Sequence, residues 1–256
     1  MAALICADTL TDAWLDDLEY LHENGDEELN LVTTIGDSDP YRVDQQLIAE
    51  VDARLLREGK QRVATVANTI FPSAYLRGSA DRQQFYDRYL AHLPRLRKQK
   101  GNKHGTYFGR LIDYSASIEV NGGQTINQIE QIILKLQTQL GSRGPKRFAY
   151  QAQIFVPERD KGSIMGFPCL SFVSFQLDRD RLCLTAIYRN QYYFQRALGN
   201  FIGLARLQRF VAQEAGLVTG SLTVHACHAE IDGLNRHKTE ELLRVCREIV
   251  PIAVAA

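Results

Sequence analysis

The sequence predicts an α+β fold in one domain, and three observations carry that expectation. Its 256 residues are 45% hydrophobic, long and apolar enough to bury a large core. Runs of helical period occur along the whole chain, whereas strand-like alternation is densest between residues 148 and 232. No Pro-, Gly- or Ser-rich linker separates the two kinds of segment.

From the N-terminus, "TDAWLDDLEYLHENG" predicts a helix. Thr11 or Asp12 would cap it, Trp14, Leu15, Leu18 and Leu21 would face inward, and Gly25 would end it. The acidic "ENGDEE" reads as a solvated turn and "LNLVTTIGD" as a strand. "DPYRVDQQLIAEVDARLLREG" is helical, with Leu47, Val51 and Leu55 on one face. "RVATVANTIFPSAYL" fits a strand or a buried helix ending near Pro72. "DRQQFYDRYLAHLPRLRKQ" is an amphipathic helix interrupted at Pro94. "TINQIEQIILKLQTQLGSRGPKR" is a helix with Ile126, Ile129, Ile133, Leu136 and Leu140 inward, closed by Gly141.

"RFAYQAQIFVP" then predicts a strand, and "CLSFVSFQL" and "LCLTAIYRN" flank "DRDR" as a hairpin. "LGNFIGLARLQRFVAQEAG" is a helix burying Ile202, Leu204, Leu207 and Val211. A strand "GSLTVHACHAEID", a helix "NRHKTEELLRVCREI" and an apolar tail "VPIAVAA" follow.

The 30 basic and 30 acidic residues cancel, so nothing global points to nucleic acid or an anionic membrane. Five cysteines, an odd number without a CxxC, argue against a disulfide framework and for a reducing cytoplasm. The N-terminus lacks the basic start and long apolar run of a signal peptide. No stretch approaches the roughly 18 apolar residues of a membrane span.

Cys169 in "MGFPCLSFVSFQL" is either a nucleophile or a small core residue at a strand start. "HACH" places His225, Cys227 and His228 close together, but an extended strand sends the two histidines to opposite faces, and no metal is expected. The basic "RLRKQKGNKH" reads as a solvated surface or a phosphate site.

Several segments nevertheless occur in a telling order. "NQIEQIILKLQTQLGSRGPKRFAYQAQIF" is followed by "FPCLSFVSFQL", by "AIYRNQ", by "LGNFIGLARL" and by "CHAEID". Arg189 lies twenty residues after Cys169 and Asn200 thirty-one. In this order and at these intervals the chain resembles the thymidylate synthase family from "NQIEQIILKL" onward. The resemblance implies a thymidylate-synthase-like single domain, 1–256, with a mixed β-sheet flanked by helices.

It also implies roles. Cys169 would add as a thiolate to C6 of a pyrimidine. Arg189 would favour the thiolate and pair with a phosphate oxygen. Asn200 would read the base edge, unless it is simply a helix N-cap after Gly199. Arg143 and Arg147 resemble an arginine pair that reaches a phosphate across a dimer interface, or form a plain basic turn. Tyr107 or Phe108 in "GTYFGRL" would occupy the family's aromatic position.

The departures are equally specific. Leu170 replaces the family's histidine, Asn190 a phosphate-binding serine, and Tyr192 a folate-contacting aspartate. Glu230 and Asp232, expected on one face of a strand, replace residues that hold the sugar hydroxyl and would suit a ribose. The family's early glutamate falls near Asn68 or Thr69. The expected function is therefore C5 one-carbon transfer to a pyrimidine nucleoside monophosphate, distinct from standard dUMP methylation, in a homodimer. The resemblance leaves the carbon donor open: methylenetetrahydrofolate is one option, and the residues that contact folate in the family are not clearly kept. The alternative is a degenerate homologue that senses a nucleotide or serves as a structural partner.

Overall fold

The structure, a computed structural model, describes residues 2–99, 102, 105–115, 125–160, 162 and 166–250. The apolar tail beyond residue 250 and part of the basic "RLRKQKGNKH" run lie outside them.

The strands are β1 (Ala3–Ala7), β2 (Glu27–Ile35), β3 (Tyr150–Gln153), β4 (Leu170–Asp178), β5 (Arg181–Tyr188), β6 (Gln191–Tyr192) and β7 (Val218–Glu230). They form one mixed sheet in the order β1-β2-β7-β5-β4-β3, with β6 also paired to β7. β1 runs parallel to β2, and β5 and β6 run parallel to β7; the other pairs are antiparallel. The helices are α1 (Leu10–Glu23), α2 (Gln45–Arg57), α3 (Val63–Ile70), α4 (Ser73–Arg77), α5 (Arg82–Arg97), α6 (Tyr107–Ile112), α7 (Gln128–Leu140), α8 (Pro157–Asp160), α9 (Leu198–Ala215) and α10 (Arg236–Ile249). A five-residue π-helix, Tyr193–Ala197, leads into α9. This is the α+β architecture expected.

The core lies on one face of the sheet. Along β5 and β7 alternate residues are buried, including Leu182, Leu184, Ala186, Leu222, Val224 and Ala226, as period-two patterning requires. α9 covers this face with a surface buried nearly all round, including Phe201, Leu204 and Leu207. Trp14 of α1 is fully buried and donates its indole N–H to the Tyr193 carbonyl at 2.8 Å, tying α1 to the π-helix.

α3 crosses α9 at its glycines. A Cβ at Gly199 would stand 2.6 Å from Val66 Cβ, and one at Gly203 2.8 Å from the Ala67 carbonyl oxygen. Glycine allows backbones to approach this closely, and the contact carries Val66 and Thr69 beside Asn200.

Several local expectations change. Thr9, rather than Thr11 or Asp12, caps α1. β2 begins at Glu27, inside the acidic stretch expected to be a turn, and positive φ at Gly25 and Asp26 makes the tight reversal before it. The ambiguous "VATVANTI" is helix α3; its buried Val63, Val66, Ala67 and Ile70 follow helical spacing, and tertiary packing overrides β propensity. α5 continues through Pro94 into its last turn. Ile126 lies before α7 in an isolated bridge with Tyr114, and Leu140 is 37% exposed, so the inward face is Ile129, Ile132, Ile133 and Leu136.

Candidate functional site

The hairpin of β4 and β5 places Cys169. Asp178 pairs with Arg181 across a two-residue turn, and the ladder runs back to Phe172 opposite Ile187. There the register shifts, Ser171 is the extra residue, and Leu170 opposes Tyr188. Such a bulge re-aims the side chains beyond it. The Arg189 N–H then donates to the Cys169 carbonyl at 2.9 Å.

The Arg189 guanidinium lies 3.8 Å above the Phe167 ring. Its Nε donates to the Pro168 carbonyl at 3.2 Å and its Nη2 to that of Phe167 at 3.1 Å. Arg189 thus braces the turn that presents Cys169. The thiol itself is half-buried. Burial pushes its pKa up, Arg189 and Arg196 pull it down, and Glu230 pushes it up.

Cys169 opens into a cleft of about 220 Å³, lined also by Tyr107, Tyr192, Arg196, Asn200, Thr69 and Gln61. A neighbouring cavity of about 250 Å³, flanked by Pro72, Tyr75, Tyr89 and Leu96, shares Gln61, Thr69, Asn102 and Thr106 with it. Among the described lining residues of the first cleft there is no carboxylate, and Arg196 is the charged side chain.

Asn200 is 4% exposed, lines the cleft and has no hydrogen-bond partner among the described residues. A carboxamide that meets a cavity without an internal partner offers a donor and an acceptor to a ligand. The N-cap alternative fails, because Asn200 is the third residue of α9 and the π-helix precedes that helix. Tyr107, first in α6, lines the cleft beside Cys169, and burial pushes its pKa up to about 12.

Other residues are placed differently from expectation. The Asn190 amide is engaged within the chain, with Oδ1 2.6 Å from His228 Nδ1 and Nδ2 donating to Glu230 Oε1 at 3.1 Å. Asn190 lines the cleft, but both ends of its amide are occupied. Glu230 and Asp232 do not share a strand face, because β7 ends at Glu230. Asp232 instead accepts from the Gln195 backbone N–H at 3.3 Å and from the Gln195 side chain. It pins the π-helix, and its burial raises its pKa. Arg143 and Arg147 are exposed on the turn between α7 and β3, away from the cleft lining of their own chain. Thr69 lines the cleft and Asn68 the neighbouring cavity, so no carboxylate stands at that position.

His225 bonds Asn30 at 3.1 Å whereas His228 bonds Asn190. Among the described residues no group of three or more His, Cys, Asp or Glu side chains is placed to hold a metal ion. No described helix is long and apolar enough to cross a membrane.

Arg196 escapes a reading by motif. Its signal is spacing: it lies four residues before Asn200, one helical turn on the same side. The π-helix that carries it is a rare element that often occurs at functional sites.

The fold and the cleft define an α+β protein that presents a cysteine, and a carboxamide without a partner among the described residues, to one cavity. The chain is similar to archaeal proteins named "putative thymidylate synthase". Identity to the one from Methanocaldococcus jannaschii is 32% over 127 residues, 49% of this chain and 54% of that protein. For Methanothermobacter thermautotrophicus it is 27% over 136 residues, 53% and 58%. For Methanococcoides burtonii it is 27% over 139 residues, 54% and 58%. The chain spans about half the length of the curated relatives it matches. No family model matches it. These similarities support a divergent thymidylate-synthase-like protein.

Proposed function

We propose that the chain binds a pyrimidine nucleoside monophosphate and transfers a one-carbon unit to its C5 after Cys169 adds to C6. The observation that carries this reading is that Cys169 and the unpartnered amide of Asn200 line one cleft. A carboxamide can meet the N3 and O4 edge of a uracil with one donor and one acceptor, while the thiolate, the nucleophilic form, attacks the ring. Arg189 favours that thiolate electrostatically. A methylenetetrahydrofolate is one donor the resemblance allows, and the neighbouring cavity with its aromatic flank is the site this reading offers it.

The active form in this proposal is a homodimer. The sheet face opposite the core carries one row across five strands, Phe172, Ile187, His225, Val32 and Leu4, in register. All are half-buried or exposed, and Leu4 is 67% exposed. Two such faces packed together would bury this row, apolar at four of its five positions, and allow Arg143 and Arg147 to serve the partner's phosphate.

A second reading, a nucleotide sensor, draws on the raised Cys169 pKa and the carboxylate-free lining. Neither feature hinders binding, and both slow chemistry. Exchange of the C5 hydrogen of UMP, dUMP, CMP or dCMP with solvent separates the two, because it needs C6 addition and no carbon donor. Binding without exchange in any of the four supports the sensor.

A further inference from the structure

We propose that Arg196 is a catalytic residue of this cleft, which stabilises the negative charge that appears on a uracil O4 when Cys169 adds to C6. The inference rests on the binding mode proposed above and deepens it.

Arg196 sits in the π-helix and lines the cleft together with Cys169 and Asn200. One hydrogen bond, Nη1 to Gln61 Oε1 at 2.8 Å, orients its guanidinium. Its acceptor is neutral, so the positive charge is directed but not neutralised. No carboxylate is paired with it among the described residues. Arg189, the other cation near the thiol, has its side chain committed to the Phe167 and Pro168 carbonyls. Gln61 is itself positioned at the junction, lining both the Cys169 cleft and the neighbouring cavity.

The chemistry gives such a cation a role. The Cys169 sulfur forms a bond to C6, the C5–C6 π pair moves between C5 and C4, and the C4–O4 π pair comes to rest on O4. The adduct is an enolate with its charge on O4 and C5. C5 then takes a proton from solvent, loses the original one, and the reverse electron flow expels the thiolate. Nothing is oxidised or reduced. Asn200 can donate one hydrogen bond to O4, but a neutral amide compensates an anion poorly. Arg196, one turn before Asn200, supplies a fixed charge in a half-dry site, where oriented donors act most strongly. Arg196 follows Gln195, which Asp232 anchors within the π-helix.

The test compares wild type, Arg196→Gln and Arg196→Lys with UMP and dUMP, reading calorimetric affinity and the rate of C5-hydrogen exchange. Arg196→Gln is expected to lower exchange ~10²–10³-fold while affinity changes far less. Arg196→Lys, which keeps the charge, is expected to recover part of the rate. Retained affinity certifies that each variant is folded. Exchange by Arg196→Gln equal to wild type overturns this inference alone. Equal losses of affinity and rate in both variants also overturn it, since they mark a binding or structural role. Absence of exchange in wild type removes the enzymatic reading and this inference with it.

Discussion

The backbone N–H of Arg189 donates to the carbonyl of Cys169 at 2.9 Å, and this contact explains the twenty-residue interval between them. Phe172 to Asp178 pair with Ile187 to Arg181 in one register, in which Cys169 would oppose Asn190. The extra residue Ser171 moves the pairing by one, so Cys169 opposes Arg189. Spacing in the sequence is therefore the trace of a hairpin with a two-residue turn and one bulge.

Deleting Ser171 should leave Leu170 opposite Tyr188 and Cys169 opposite Arg189 but remove the bend and added twist of the bulge that aim Cys169 into the cleft. Nucleotide binding measured by calorimetry is expected to be lost, whereas Ser171→Ala, which keeps the bulge, is expected to leave it unchanged. Equal affinity for both variants would show that the bulge does not place the site.

Alkylation of Cys169 by iodoacetamide, followed by mass spectrometry of its peptide, reports its thiolate. Burial is the largest influence and raises the pKa, so the rate should reach its midpoint above the ordinary thiol value of about 8.5. Arg189→Gln removes a cation and should move the midpoint higher. Glu230→Gln removes an anion and should move it lower. A wild-type midpoint below the ordinary value would refute the dry-pocket account.

Gly203→Ala tests the crossing of α3 and α9. The new Cβ would lie 2.8 Å from the Ala67 carbonyl oxygen and 2.9 Å from Ile70 Cβ, and backbone cannot yield as a side chain can. The expected loss is about 1–3 kcal/mol, read as a lower Tm, with weaker nucleotide binding because α3 carries Thr69. Gly144→Ala, where nothing lies within 4 Å of the new Cβ, is the control and should leave Tm unchanged.

The uncovered sheet face predicts a dimer in solution. Sedimentation of wild type at micromolar concentration should give twice the chain mass, and Ile187→Glu, which places a charge mid-row, should give the monomer. A wild-type monomer would rule out a site shared between copies.

The elements with strong periodicity, α1, α2 and α10, were legible because one buried stripe determines them, and α9, buried nearly all round, because its apolar run is long. α3 was not, since "VATVANTI" satisfies strand and helix alike until α9 packs against it. β6 and the π-helix carry no local pattern; they exist because β7 offers an edge to Gln191 and Tyr192 and Asp232 holds Gln195. In the site, the Cys169, Arg189 and Asn200 intervals survive in sequence because secondary structure fixes them. The fates of Asn190 and Asp232 do not, since they depend on partners forty and thirty-seven residues away, Glu230 and Gln195.

The most direct measurement of the central claim is release of the C5 hydrogen of UMP, dUMP, CMP and dCMP to solvent, by wild type and by Cys169→Ser. The account predicts exchange with at least one nucleotide by wild type and none by Cys169→Ser. Identical behaviour of the two proteins with all four nucleotides would contradict it.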